Sequence, residues 1–163
     1  MAAKCNADEI FEIAEQIEKN GAAFYRKAAE TLSDEKHEAL LQELAAMEDD
    51  HLKTFHQLRQ ELTAGERADF VPDPEGQAEQ YLRAFASGHV FDLQAEPAAF
   101  LAGGRTLEEI LVKAIQIEKD SVAFYVGIEA LVPQGLGRGH VKEIIQQEMG
   151  HITQLSERLR EVK

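Results

Sequence analysis

The sequence repeats itself at an offset of 100 residues, and the two copies align without a gap. The matches comprise a Gln-Ile-Glu-Lys block, a Phe-Tyr pair and a Glu-x-x-His motif. In residue numbers they are 16–19 with 116–119, 24–25 with 124–125, and 48–51 with 148–151. Because chance is a poor explanation for so many ungapped matches, we expect each half to fold as one copy of the same unit. The two copies should then pair around a pseudo-twofold axis.

Each copy has the pattern of two helices. Apolar residues recur in steps of three and four, which is typical of a helix that buries one face. Asn6 with Glu9, and Thr106 with Glu109, predict capping boxes at the start of the first helix of each copy. We therefore predict a single all-α domain over residues 1–163, an antiparallel four-helix bundle made of two αα-hairpins. Hairpin 1 covers about 7–63 and hairpin 2 about 106–162.

The segment between the hairpins, about 64–105, is predicted to be a crossover that contains a short helix. Asp73-Pro74-Glu75 predicts the start of that helix and Gly88 its end. Tyr81, Leu82 and Phe85 fall on one of its faces and require burial, which argues against a flexible linker. The glycine-rich stretch 135–139 does not follow a strand, so we expect a turn there and no phosphate-binding loop.

The overall charge and the cysteine content exclude several classes of protein. The 17 basic and 30 acidic residues give a net charge of −13, which argues against nucleic acid or an anionic membrane as a partner. Cys5 is the one cysteine, so the chain has neither an internal disulfide nor a Cys-x-x-Cys metal site. We find no secretory signal and no apolar run near the ~20 residues that span a bilayer. A cytoplasmic location is the expectation.

Charged side chains occupy positions on the helices that should face the core. They are four glutamates and two histidines, namely Glu18, Glu48, His51, Glu118, Glu148 and His151. A buried carboxylate costs several kcal/mol, and no Lys or Arg lies on these faces to compensate it. Two divalent cations would balance four carboxylates. The i, i+3 spacing of each Glu-x-x-His pair places both ligands on one helix face, and glutamates from the other two helices can bridge or cap the metals.

We therefore predict a two-metal site with these six residues as ligands. The set matches the pattern of di-iron and di-manganese carboxylate bundles, in which two helices give one Glu each and two give Glu-x-x-His. Tyr25 and Tyr125 have two interpretations, as core aromatics or as hydrogen-bond donors to a ligand carboxylate. Gly21 and Ser121 either ease helix packing or leave room for a small oxidant.

The remaining histidines and two of the methionines are not predicted to belong to the metal site. The remaining histidines have no counterpart across the repeat and are predicted to lie on the surface: His37, His56, His89 and His140. Met47 and Met149 are predicted to fill the core.

With these motifs, the sequence resembles the rubrerythrin branch of the ferritin-like superfamily. The resemblance covers both hairpins and rests on the repeated Gln-Ile-Glu-Lys, Phe-Tyr and Glu-x-x-His motifs. It implies a non-haem di-iron centre in an antiparallel bundle, usually in a homodimer, and reduction of hydrogen peroxide or oxidation of ferrous iron. Carried over by motif, Glu18 and Glu118 are single ligands, and Tyr25 and Tyr125 match the family's tyrosines near the site.

Two departures from the family pattern affect the expected function. Rubrerythrins proper carry a rubredoxin-like domain with four cysteines, whereas this chain has only Cys5. Electrons would then come from a separate rubredoxin-like or other donor protein. Rubrerythrins proper also have a further Glu where this chain has Ser121, so the site here is more symmetric and has fewer carboxylates. The chain resembles the smaller rubrerythrin-like proteins.

Four functions remain open at the level of the sequence. The first is peroxide reduction at two iron ions per chain with an external electron donor. The second is ferroxidase activity with transient iron storage, and the third is a manganese site that dismutates peroxide without a donor. The fourth is a purely structural metal bundle or interaction module. Carboxylate and imidazole ligands suit iron, manganese or a mixed pair, and zinc could occupy the site in purified protein.

Overall fold

The helices of the chain are defined in a computed structural model that describes residues 6–63, 76–86, 97–132 and 134–163. Within these ranges there is no strand. The α-helices are α1 (Ala7–Ala29), α2 (Glu35–Glu61), α3 (Gln77–Ala86), α4 (Pro97–Leu101), α5 (Leu107–Glu129) and α6 (Arg138–Val162). A short 3-10 helix, Gln134–Leu136, precedes α6. No described helix is both long and apolar enough to cross a membrane.

Both predicted capping boxes are present. The Glu9 amide donates to the Asn6 side chain at 2.9 Å, and the Asn6 amide donates to the Glu9 carboxylate at 3.1 Å. The Thr106–Glu109 box repeats this arrangement at the start of α5, with bonds of 3.2 and 2.9 Å. The matched caps start α1 and α5 at equivalent points of the repeat, so their later residues also occupy equivalent positions.

The four long helices form the bundle, with α1 packed along α2 and α5 packed along α6. Its core divides into two apolar clusters. One includes Phe11, Phe55 and Phe124, and the other includes Phe24 and Leu44. On each long helix the buried polar residues lie between the segments that contribute to the two clusters. The fold therefore encloses a polar layer in the middle of an otherwise apolar core.

The helix of the crossover, α3, packs on α5 of the same chain. Leu82 and Phe85 are buried, and the Tyr81 hydroxyl donates to the carbonyl of Ala123. A Cβ atom at Gly127 would lie only 2.1 Å from Cε1 of Tyr81, so a glycine is needed at this close approach. Of the face predicted for this helix, Leu82 and Phe85 are thus buried and Tyr81 is half-buried. Its predicted start at residues 73–75 and its predicted end at Gly88 lie outside the described residues.

The glycine-rich stretch forms a 3-10 turn and then starts α6, in agreement with the predicted turn. Gly137 has a φ of +99°, a left-handed conformation that disfavours other residues. A Cβ atom there would also lie 2.4 Å from a methyl carbon of Leu58. The backbone angle favours glycine at this position, and a larger residue would also force the Leu58 side chain of α2 to move.

Two assignments made from the sequence are wrong. Met149 is 55% exposed, because it follows the inward-facing Glu148 and one residue turns a helix by about 100°. His37 is half-buried, with 15% of its side chain exposed, and its Nδ1 lies 3.0 Å from the Asp34 carboxylate that caps α2. His56 and His140 are exposed as predicted, whereas His89 and Cys5 lie outside the described residues.

Candidate metal centre

The structure brings together all six residues predicted as ligands. Each is at most 3% exposed, although all six carry ionisable groups. Glu18 lies in the middle of α1 and Glu118 in the middle of α5, while α2 and α6 each supply one Glu-x-x-His pair. Their role as metal ligands stays a prediction, but their convergence in the polar layer of the bundle is a feature of the fold.

Their donor atoms form two overlapping groups, within each of which the atoms lie within 4.8 Å of one another. The first group is Glu18, Glu48, His51 and Glu148, and the second is Glu48, Glu118, Glu148 and His151. Glu48 and Glu148 belong to both groups and are placed to bridge two cations. Glu18 and Glu118 each belong to one group and are placed to bind one cation. The glutamates of the Glu-x-x-His pairs are therefore the ones in the bridging position.

The residues fit two cations because many of their polar atoms are buried without a hydrogen bond. Nδ1 of His51 lies 3.2 Å from Oε1 of Glu148, and Nδ1 of His151 lies 2.8 Å from Oε2 of Glu148, but neither contact has hydrogen-bond geometry. Among the described residues, Oε2 of Glu18, Oε1 of Glu48 and both Glu148 oxygens also have no hydrogen-bond partner. Unpaired buried polar atoms are costly and rare in folded proteins. Cations among these atoms would provide the missing interactions.

The pKa values of the six side chains are shifted by burial and by the charged groups next to them. Burial raises the pKa of the Glu18 carboxyl, and it raises those of Glu48 and Glu118 much further, with the neighbouring carboxylates adding to the effect. Burial lowers the pKa of both imidazoles, but the adjacent carboxylates outweigh it and raise the pKa of His51 to about 11 and that of His151 to about 12. Without cations the cluster thus retains protons, which bound cations must displace.

Glu148 differs from the other three glutamates. Burial pushes its pKa upward, but the adjacent His151 and His51 rings outweigh burial and lower the pKa to about 2. Glu148 therefore stays ionised, as a carboxylate shared by two metal ions would need to be.

The two tyrosines donate hydrogen bonds across the repeat. The Tyr25 hydroxyl donates to Oε1 of Glu118, and the Tyr125 hydroxyl donates to Oε1 of Glu18. Burial, followed by the charge of the nearby carboxylates, holds the pKa of both phenols well above the usual range, so they keep their protons. They are also core aromatics, since the Tyr125 ring packs on Phe55 with centroids 5.1 Å apart. Any effect of the tyrosines on a reaction stays a prediction.

The equivalent residues Gly21 and Ser121 differ in their surroundings. A Cβ atom on Gly21 would lie 3.0 Å from Oε2 of Glu48, so the missing side chain leaves room for that carboxylate. The Ser121 hydroxyl donates to the carbonyl of Ile117, one turn earlier on α5, at 3.1 Å. A glycine at position 21 therefore lets Glu48, a predicted ligand, pack closely against α1.

One neighbour of the site could not be found from the repeat. Nε2 of His51 lies 2.6 Å from the side-chain oxygen of Gln147, an exposed residue of α6. The equivalent position in the first copy is Met47, so the repeat does not mark position 147 as part of the site. Nε2 of His151, the equivalent atom of the other histidine, is buried and has no hydrogen-bond partner in the part of the chain that the structure describes.

Comparison with known proteins identifies the fold. No protein-family model matches the sequence, and no curated protein matches it. A solved structure from Thermotoga maritima, of a protein described as a ferritin-like diiron-carboxylate protein, matches with a TM-score of 0.72. The alignment covers 100% of both chains at 24% sequence identity. The chain has the ferritin-like fold, which confirms the predicted all-α bundle.

Proposed function

We propose that this chain is a dinuclear non-haem iron protein of the rubrerythrin-like type that reduces hydrogen peroxide with electrons from a separate donor protein. The observation that carries the proposal is the pair of four-residue groups that share Glu48 and Glu148, each completed by one imidazole and one further glutamate. The Thermotoga maritima protein with the same fold is described as a diiron-carboxylate protein, which supports iron as the metal.

Reduction of hydrogen peroxide to two water molecules consumes two electrons and two protons. When bound, an iron pair supplies the two electrons and open coordination positions for a small oxidant. The protein holds the ligand carboxylates in place, because the Tyr25 and Tyr125 hydroxyls each donate to one of them. The two apolar clusters above and below the polar layer exclude bulk water from it.

The electron donor is a separate protein of the rubredoxin-like or a comparable type. The sequence has one cysteine, so these 163 residues cannot bind the four-cysteine iron centre that donates electrons within rubrerythrins proper. We place the activity in a reducing compartment such as the cytoplasm, consistent with a sequence that offers no disulfide partner for Cys5.

We further propose that the chain acts as a homodimer. Val112 and Val126 are 50% and 52% exposed and lie four turns apart on α5. The equivalent residues of α1 are Glu12 and Arg26, which form ion pairs with Arg59 and Asp49 of α2. Exposed valines in one copy, at positions where the other copy is charged and ion-paired, are consistent with a surface that a second chain covers. Light scattering should give twice the chain mass, and Val126→Glu should lower it towards one chain.

The test of the proposed activity begins with metal-free protein under anaerobic conditions. Ferrous iron is added stepwise, and the loaded protein is then mixed with one equivalent of hydrogen peroxide or of dioxygen while near-ultraviolet absorption is followed. We expect saturation at two iron ions per chain and faster oxidation by peroxide than by dioxygen. Faster oxidation by dioxygen would instead indicate a ferroxidase. Peroxide consumption by manganese-loaded protein without any donor would indicate a catalase-type site.

A matched pair of variants on α2 separates the site from general effects of charge. Glu48→Gln removes a shared carboxylate, and we expect it to abolish binding of the second iron and the fast oxidation. Glu43→Gln makes the same chemical change at an exposed position of the same helix and should behave as the wild type. Equal iron binding by both variants would overturn the proposed site.

A further inference from the structure

We propose that Gln147 positions His51 and so makes the two metal positions unequal, with the His51 position filling first. This inference rests on the proposed dinuclear site and extends it, because the repeat alone predicts two equivalent positions. It concerns the order and strength of metal binding and names a residue that contacts a predicted ligand without being one.

The contact between the two side chains defines the orientation of the imidazole. The amide oxygen of Gln147 can only accept a hydrogen bond, so Nε2 of His51, at 2.6 Å, carries the proton. In a neutral imidazole the lone pair then lies on Nδ1. That atom faces the site, at 3.2 Å from Glu148 and 3.5 Å from Glu18. His51 is thus held in the form that a cation in this position requires.

The other half of the site has no such contact among the residues that the structure describes. Nδ1 of His151 also faces carboxylates, at 3.4 Å from Glu118 and 2.8 Å from Glu148. Its Nε2 is buried and has no hydrogen-bond partner. The residue equivalent to Gln147 is Met47, whose thioether is only a weak acceptor. When Nδ1 of His151 binds a cation, Nε2 must carry a proton that no acceptor stabilises.

This difference has a measurable consequence. An outer hydrogen bond to a metal-binding histidine fixes its protonated nitrogen and raises its basicity, and loss of such a bond typically weakens binding about 10- to 100-fold. The group of Glu18, Glu48, His51 and Glu148 should therefore bind its cation more tightly than the group that contains His151.

The test uses Zn²⁺, which has no redox chemistry, and the full chain in competition with a chelator of known affinity. Wild-type protein should bind two Zn²⁺ in two separable steps. Gln147→Met copies the first half of the repeat into the second, and we expect it to weaken the tighter step by about 10- to 100-fold, so that the steps merge. Gln146→Met makes the same change at the adjacent exposed glutamine and should leave both steps unchanged. Met47→Gln is the reciprocal variant and should tighten the weaker step.

A second readout reports on the imidazole itself. In a long-range ¹H–¹⁵N spectrum of the Zn²⁺-loaded protein, the Nε2 proton of His51 should exchange slowly in the wild type and in Gln146→Met. It should exchange faster in Gln147→Met. Unchanged binding steps and exchange in Gln147→Met would overturn the inference, as would two steps of equal affinity in the wild type.

These outcomes are distinct from a failure of the proposed function. Two equal Zn²⁺ sites would overturn only the inequality and would leave the dinuclear site in place. Binding of fewer than two Zn²⁺ by the wild type would overturn both. Two unequal Zn²⁺ sites in a protein whose iron form does not react with peroxide would support the inference and contradict the peroxidase activity.

Discussion

The hydroxyl of Tyr25, in α1, donates a hydrogen bond to the carboxylate of Glu118, in α5, so that each hairpin of the repeat supports a predicted ligand of the other. The reciprocal bond joins Tyr125 and Glu18. The two bonds connect the hairpins through the polar layer, where the apolar packing of the bundle is interrupted. Assembly of the hairpins and geometry of the site are therefore coupled.

Replacing Tyr25 with Phe should weaken both the fold and the site. The ring still fills the core, but the bond to a charged carboxylate is lost, and such bonds contribute about 1.5–3 kcal/mol. We expect a loss of that size in urea unfolding of the metal-loaded protein, together with weaker metal binding. Tyr81→Phe removes a hydroxyl that bonds the backbone carbonyl of Ala123 and not a ligand carboxylate, and it should leave metal binding unchanged. Wild-type metal affinity in Tyr25→Phe would contradict this account.

Glu48→Gln should impair metal binding without lowering the stability of the metal-free protein. The pKa of Glu48 is raised well above its usual range, chiefly by burial, so the amide resembles the protonated carboxyl of the metal-free protein. Thermal unfolding in a chelator should show the metal-free variant to be at least as stable as the wild type. Stabilisation by added metal, which requires binding to the folded state, should be largely lost. A metal-free variant far less stable than the wild type would show that this carboxylate supports the fold by itself.

The stability of the metal-free protein should fall as pH rises. The pKa values of His51 and His151 are raised from 6.5 to about 11 and about 12, so their contribution is complete below pH 6.5 and is lost as pH rises through the folded-state values. The raised pKa values of Glu18, Glu48 and Glu118 act in the same direction from 4.5 upward. The lowered pKa of Glu148 has the opposite effect, but only between its folded value of about 2 and its usual value of 4.5.

Metal binding should show the opposite dependence, because cations replace these protons. We expect the difference in melting temperature between loaded and metal-free protein to grow from pH 5.5 to pH 9, within the window that the raised pKa values define. The double variant Glu48→Gln/Glu148→Gln controls for the general repulsion of an acidic chain and should show a much smaller growth. Metal affinity that falls over this range would contradict the proton displacement.

The contact between the crossover helix and the bundle can be tested at Gly127. Gly127→Ala places a methyl group where the Tyr81 ring lies, and overpacking of this kind costs about 1–3 kcal/mol. Urea unfolding should be measured for Gly127→Ala, for Tyr81→Ala and for the double variant Tyr81→Ala/Gly127→Ala. We expect that the losses of unfolding free energy in the two single variants do not add up to the loss in the double variant. Gly150→Ala, on an open face of α6, should be neutral or stabilising. Additive costs would mean that the two residues do not contact each other.

The sequence predicts the fold well because helix caps and helix periodicity depend on residues that are close in the sequence. Capping boxes such as that of Asn6 and Glu9 depend on residues three positions apart, and they start the helices where predicted. The buried position of Glu18 follows from its place among apolar residues on one helix face. For the same reason, the convergence of the six polar residues could be predicted before any distance was known.

Features that depend on contacts between helices could not be predicted. The choice of Glu48 and Glu148 as the carboxylates common to both groups follows from how the four helices are placed against one another, which the helix period does not define. Gln147 lies on an exposed position and reaches a histidine of another helix, so neither burial nor the repeat identifies it. Met149 shows the converse error, in which an apolar residue type suggested the core although its position on the helix faces solvent.

The most direct test of the central claim is the anomalous diffraction of crystals of the iron-loaded protein, measured on both sides of the iron absorption edge. We predict two iron peaks per chain, about 3.5–4 Å apart as in other two-metal sites, one beside His51 and one beside His151, with Glu48 and Glu148 contacting both. A single peak, or peaks away from the polar layer of the bundle, would contradict the dinuclear site.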